Sequence, residues 1–253
     1  MIFPSPATAT LALSFLATTT IHAFTTPSAA TRRTGSFLSE LCMSSDEAAA
    51  EAFRLEPKET AFVFIEYQNE FTTEGGKLYD AVKDTIEKTN MLENSSTLLS
   101  AARESGSTII HAPISFEPGH DEIADTAYGI LAGVKEGSAF TRGEWGADFS
   151  PKMMPQPGDL TVKGKSGLCA FASTNLDFLL RQKGAKNVVL GGFLTNCCVE
   201  STMRTAYELG YHVFTLSDCM AATSIEAQEA TMEHNFGMFS IPKTSTEIME
   251  AIN

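Results

Sequence analysis

The stretch NVVLGGFLTNCCVESTMRTAYELGYHVFTLSD, residues 187–218, decides the fold. Its first seven residues are a continuous apolar run of strand length, the pattern of a strand covered on both faces. Over about 196–209 the spacing changes, and Val199, Met203, Ala206 and Tyr207 fall on one face of a helix. YHVFTLSD (211–218) then reads as strand again. Strand, long helix and strand in succession is the unit that builds a parallel sheet, because parallel neighbours need a long crossover.

The same alternation extends outward in both directions. AFVFIEY (61–67) is an apolar run of strand length, followed by a helical segment over about 79–105 that Gly106 ends. STIIHA (107–112) is a second strand. Residues 113–158 are rich in Pro and Gly and read as loops with one or two short helices. GDLTVKG (158–164) gives a strand and STNLDFLLRQKG (173–184) a helix, with Thr174 as N-cap, Leu176, Leu179 and Leu180 as its stripe and Gly184 as its stop. A last helix, about 224–235, precedes GMFS. The expectation is an α/β domain: a doubly wound, mostly parallel sheet of about six strands with helices on both faces, a Rossmann-like three-layer arrangement. Ligands in such folds bind beyond the carboxyl ends of the strands.

A chain of 253 residues with 43% hydrophobic side chains can bury a substantial core. A net charge of -13 with no basic stripe argues against a nucleic-acid partner. Five cysteines without a CxxC pair make neither a disulfide framework nor a zinc site. The first forty residues differ from the rest: no acidic side chain precedes Glu40, Ser and Thr abound, and ATLALSFLA (9–17) is too short to span a bilayer. It suits a signal h-region over 1–23, and residues 24–45, opening on the basic, acid-free FTTPSAATRRTGSF, resemble a transit segment. Together they resemble a bipartite plastid presequence, with simple secretion as the alternative. Residues 46–58 read as a linker and 59–253 as the mature domain, with no membrane segment.

Three features fall at or near predicted strand ends. Glu66 closes the first strand, Lys165 follows LTVKG, and Cys197 and Cys198 open the helix after NVVLGGF. A cysteine in a helix's first turn lies among unpaired N–H groups at the positive end of the dipole, which favours its thiolate, and a nearby Lys⁺ acts the same way. A carboxylate within reach can take the thiol proton and later deliver it to a leaving group. Free N–H groups at the turn can hold an oxyanion.

These residues also carry a resemblance. GFLTNCCVEST, with Gly192, Thr195, Cys198 and Val199, is similar to the G-x-x-T-x-x-C-V signature of the isochorismatase-like cysteine hydrolases. FVFIEYQNEF resembles that family's opening strand, KSGLCAFASTNLDFLLR its lysine segment, and GYHVFTLSDCMAAT its G-y-x-V-x-x-x-x-D-a stretch. The matches are collinear from about 61 to 222. The resemblance implies a catalytic group of Glu66, Lys165 and Cys198, with Cys197 at a variable position. It implies a cis peptide before Leu194, and an oxyanion hole formed by the Leu194 and Cys198 amides. The family's Asp is Glu66 here, the second Asp of its N-D-F is Glu70, and its usual Ser before Ala170-Phe171 is Cys169.

The implied reaction cleaves an amide or ureido C–N bond of a small molecule through a thioester. The Asp-x-His metal group of nicotinamidases has no counterpart at His111-Ala-Pro, so neither metal nor cofactor is expected, and His111 reads as a hydrogen-bonded strand-end residue. Tyr67, Phe71 and the sole tryptophan, Trp145, are candidate substrate-pocket walls. Family membership further implies a homo-oligomer. Two other readings remain open from sequence: a vinyl-ether hydrolase of the isochorismate type, which needs no thiol, and a non-catalytic binding or redox protein.

Overall fold

The computed structural model describes residues 53–253. The expected signal and transit segments, and the linker as far as residue 52, lie outside the described residues. The remainder of that linker is not free of the domain: Leu55 is buried, its N–H donates to the Ala251 carbonyl at 2.9 Å, and the Phe53 ring lies 5.4 Å from that of Phe214. Leu55 finds cover against the C-terminal elements, while Phe53 rests on them and stays exposed.

Six strands form one all-parallel sheet: β1 (Thr60–Ile65), β2 (Thr108–Ala112), β3 (Leu160–Thr161), β4 (Asn187–Phe193), β5 (His212–Ala221) and β6 (Ile241–Lys243), in the order β3-β2-β1-β4-β5-β6. The connecting helices are α1 (Tyr79–Thr89), α2 (Met91–Glu104), α3 (Gly129–Glu136), α4 (Leu176–Gln182), α5 (Glu200–Glu208), α6 (Ile225–Thr231) and α7 (Ser245–Ala251). The chain winds outward from β1 to β3, then returns to β1's other side at β4 and winds out to β6. The switch point between β1 and β4 is where such sheets open a crevice.

Alternation along β1 explains the three layers. Phe62 and Phe64 point to one face, where they join Leu98, Leu99 and Ile248 of α2 and α7. Ala61, Val63 and Ile65 point to the other, against Leu176, Leu180 and Met203 of α4 and α5. Each large side chain buried this way contributes about 1.5–3 kcal/mol.

Several boundaries differ from the sequence reading, each for a local reason. The helix expected over 79–105 is two, because Asn90 takes a left-handed conformation (φ 51) that asparagine tolerates. The helix expected from 196 starts as a π turn over Thr195–Val199 and becomes α only at Glu200. β5 runs on to Ala221 through an irregular register between Leu190 and Gly192 of its partner. β6 and α7 were not anticipated, although Thr244 and Glu247 form a capping box at the start of α7.

Candidate active site

Glu66 lies one residue beyond β1, at the switch point. Its backbone is left-handed (φ 57), a conformation that costs a non-glycine residue about 1–2 kcal/mol and turns the side chain off the strand's alternation. The turn is pinned on both sides. Glu66 N–H donates to the Ala112 carbonyl at 3.1 Å, and its own carbonyl accepts from Gln68 N–H at 2.7 Å. The buried Gln68 amide donates to the Ile114 and Ala147 carbonyls at 2.8 and 2.7 Å and accepts from Ile114 N–H at 2.9 Å.

Lys165 reaches the same point from the loop after β3. Its Nζ donates to Glu66 Oε1 and, at 2.8 Å, to the Gly167 carbonyl. The lysine side chain is 0% exposed and that of Glu66 2%, so the charges have little water to share. Burial pulls the Lys165 pKa down, but the Glu66 carboxylate and the Cys198 sulfur outweigh it and hold the ammonium above the ordinary lysine value.

Cys198 stands in the π turn after β4. Gly192 makes the approach possible: with φ 134, a Cβ there would lie 2.0 Å from the Ile65 carbonyl oxygen of β1. The Phe193–Leu194 peptide is cis. The Leu194 carbonyl accepts from the N–H groups of Cys197 and Val199 at 3.0 and 3.2 Å, while its N–H donates to no protein acceptor among the described residues. Thr195 Oγ1 donates to Gln228 Oε1 at 2.5 Å, and the same oxygen accepts from Ala222 N–H at 3.0 Å. Thr202 Oγ1 donates to the Cys198 carbonyl at 2.7 Å and accepts from Ala170 N–H at 2.9 Å, joining the cysteine turn to the lysine segment. Gln228 and Thr202 were not singled out from sequence; both act across gaps that no local spacing reveals.

The Cys198 thiol is pushed well above its ordinary value by the adjacent Cys197 thiol, by burial and by the Glu66 carboxylate; Lys165 opposes this. This direction opposes the thiolate that the helix dipole favours. Cys197, half buried, is drawn down chiefly by its Cys198 neighbour. All four cysteines among the described residues are free.

Glu66, Cys198 and Leu194 share a cavity of about 260 Å³, walled by Phe71, Leu78, Val82, Ile130, Val134 and Phe140 among others. Phe71 is held there by stacking on Phe193, with centroids 4.8 Å apart. The other two expected walls lie elsewhere. Tyr67 is buried in the core, its hydroxyl bonded to Ser95 Oγ at 2.7 Å and donating to the Cys219 carbonyl at 2.8 Å. Trp145 is 49% exposed and lines no part of this cavity. Glu70 fixes the wall from behind: its carboxylate accepts from Lys77 N–H at 2.7 Å and Phe140 N–H at 3.1 Å.

His111 is fully buried, with Nε2 3.1 Å from Asp159 Oδ2. Among the described residues, no three His, Cys, Asp or Glu side chains cluster in a way that could hold a metal ion.

A family model described as the isochorismatase domain matches residues 60–247. The chain is 32% identical over 182 residues to a ureidoacrylate amidohydrolase RutB of Rhizobium rhizogenes, covering 68% of this chain and 74% of the relative. It is 33% identical over 186 residues to the protein of the same name from Agrobacterium fabrum, covering 68% and 79%. The crystal structure of a cysteine hydrolase from Pseudomonas syringae pv. phaseolicola superposes with a TM-score of 0.70 at 23% identity, covering 81% of this chain and 98% of that one, a likeness of fold.

Proposed function

This chain belongs to the isochorismatase family, and from that premise we propose that it is a cysteine hydrolase cleaving the C–N bond of a small amide or ureido compound. The observation that carries the reading is the meeting of Cys198 and Glu66, a carboxylate paired with the buried Lys165, in one cavity at the sheet's switch point. The similarity to relatives named amidohydrolases supports the same bond type.

In this reading the Cys198 sulfur attacks the carbonyl carbon as its proton passes to Glu66. An Sγ–C bond forms, and the oxyanion is held by the Leu194 and Cys198 amides. Glu66 then gives the proton to the departing nitrogen, the C–N bond breaks, and a thioester remains. Water attacks the thioester, Glu66 accepts the water's proton, and the proton returns to sulfur as the acid leaves. Lys165 keeps Glu66 in place and remains beside the negative charge as it moves. Assembly as a homo-oligomer belongs to the same proposal, and light scattering on the purified protein measures it.

The test is ammonia release from a panel of small amides, with intact-mass detection of an acyl adduct. Cys198→Ala is expected to abolish both while leaving the melting temperature nearly unchanged; retained turnover would sink the nucleophilic role.

A further inference from the structure

The cavity is built for something other than an acid. Among its lining residues only Glu66, Cys198 and Thr223 carry side-chain polar atoms other than backbone, and the Glu66 charge is already matched by Lys165. No arginine, lysine or histidine side chain lines it. The cations on the surrounding elements are engaged elsewhere. Lys77 bonds the Ser138 carbonyl and pairs with Glu70 and Glu144. Lys135 bonds the Ile123 carbonyl and Asp125 at 2.8 Å, and Arg142 pairs with Glu117 at 2.7 Å. A carboxylate drawn into this space would lose its water and find no counter-ion.

We propose that the substrate is a small neutral amide whose acyl group is apolar, and that Leu78, Val82, Ile130, Leu131 and Val134 on α1, its approach and α3 select it. The inference rests on the Cys198 reading and narrows it. With the carbonyl oxygen at the Leu194 N–H, the acyl chain extends into the apolar space between α1 and α3. A substrate whose acyl part ends in a carboxylate, such as the half-amide of a dicarboxylic acid, fits this cavity poorly. So does a vinyl-ether substrate bearing carboxylates.

A matched pair of activated esters isolates acyl selection from the C–N bond: p-nitrophenyl pentanoate and mono-p-nitrophenyl glutarate have acyl chains of equal length and differ by a terminal methyl against a carboxylate. In each, the Cys198 Sγ–C bond forms, the ester C–O bond breaks, p-nitrophenolate leaves with the electron pair, and the thiol proton passes through Glu66 to solvent. Stopped-flow release and peptide mass mapping of the adduct are the readouts, with pentanamide against glutaramate as the amide counterpart. The expected preference for the neutral chain is at least about 100-fold. Less than tenfold, or a reversed order, overturns the inference while leaving the nucleophile intact. No Cys198 adduct from either ester overturns both. Ile130 is 42% exposed at the cavity mouth, so Ile130→Arg should fold, and it should cut the preference by about tenfold through a new counter-ion. An unchanged ratio in that variant overturns the placement of the acyl chain.

Discussion

Replacing Glu66 by Gln separates the buried pair's structural and chemical roles. The amide keeps the side chain's size and an accepting oxygen but removes the charge. Lys165, 0% exposed, is then left with neutral acceptors, the new amide oxygen and the Gly167 carbonyl, and no counter-charge. Stranding one member of a buried pair costs about 3–5 kcal/mol. At about 2 kcal/mol per molar urea, that lowers the unfolding midpoint by about 1.5–2.5 M. The pH dependence carries a definite sign. In the native protein Glu66 holds the Lys165 pKa above its ordinary value, so its contribution is complete below the unfolded pKa of about 10.4 and fades as pH rises through the higher folded one. Without Glu66, burial dominates and the folded value falls below the unfolded one. Between the two the unfolded chain binds more protons, so the variant gains stability as pH rises. The penalty is therefore largest near pH 7 and narrows toward pH 10. Adding Lys165→Met removes the stranded charge and should restore most of the midpoint, yet turnover should stay about 10²–10⁴-fold down because no group moves the proton. An unchanged midpoint in the single variant, or turnover recovered in the double one, would refute the argument.

Two further outcomes test the cysteine turn. Gly192→Ala sets a Cβ 2.0 Å from the Ile65 carbonyl at φ 134, and thermal melts should show a loss of at least about 3 kcal/mol or no soluble protein; a native-like melt would mean that β1 and β4 can separate there. Iodoacetamide labelling resolved by peptide mass should modify Cys197 at lower pH than Cys198, whose reactivity should rise only above the ordinary thiol range near 8.5. A Cys198 inflection below pH 7 would contradict the raised thiol.

The sheet was legible because its strands are buried on both faces, which leaves apolar runs such as FVFI and VVL that helices of this length do not produce. Strand ends then located Glu66 and Cys198 without any knowledge of side-chain direction. What the sequence hid is what depends on direction. Tyr67 and Phe71 were equal candidates for the cavity wall; the Tyr67 hydroxyl needs partners when buried and finds them in Ser95 and the Cys219 carbonyl, whereas Phe71 stacks on Phe193 and stays at the cavity. Gln228 sits 33 residues from the Thr195 that it clamps, a separation with no local signature. The Thr244–Glu247 capping box was readable and still unassigned, because no apolar run of helical length follows it in so short a terminal helix.

The raised thiol and the paired carboxylate make sense together. A resident thiolate beside Glu66 would put two negative charges in a cavity whose walls are almost wholly apolar, with one ammonium to balance them. A neutral thiol beside an ion pair leaves the site with no net charge. In the proposed mechanism the proton passes from sulfur to Glu66, one negative charge moves from the carboxylate to the sulfur, and Lys165 faces it before and after. The step relocates charge within a low-dielectric space instead of creating it, which keeps the electrostatic cost small where water is scarce. The extra methylene of Glu66, compared with an aspartate at this strand end, is compatible with that exchange because its left-handed backbone turns the side chain back toward Lys165 rather than along the strand. An acidic substrate would add the charge this arrangement avoids, so the apolar walls and the raised thiol place one requirement on the proposed mechanism: the reacting centre stays charge-balanced at every step.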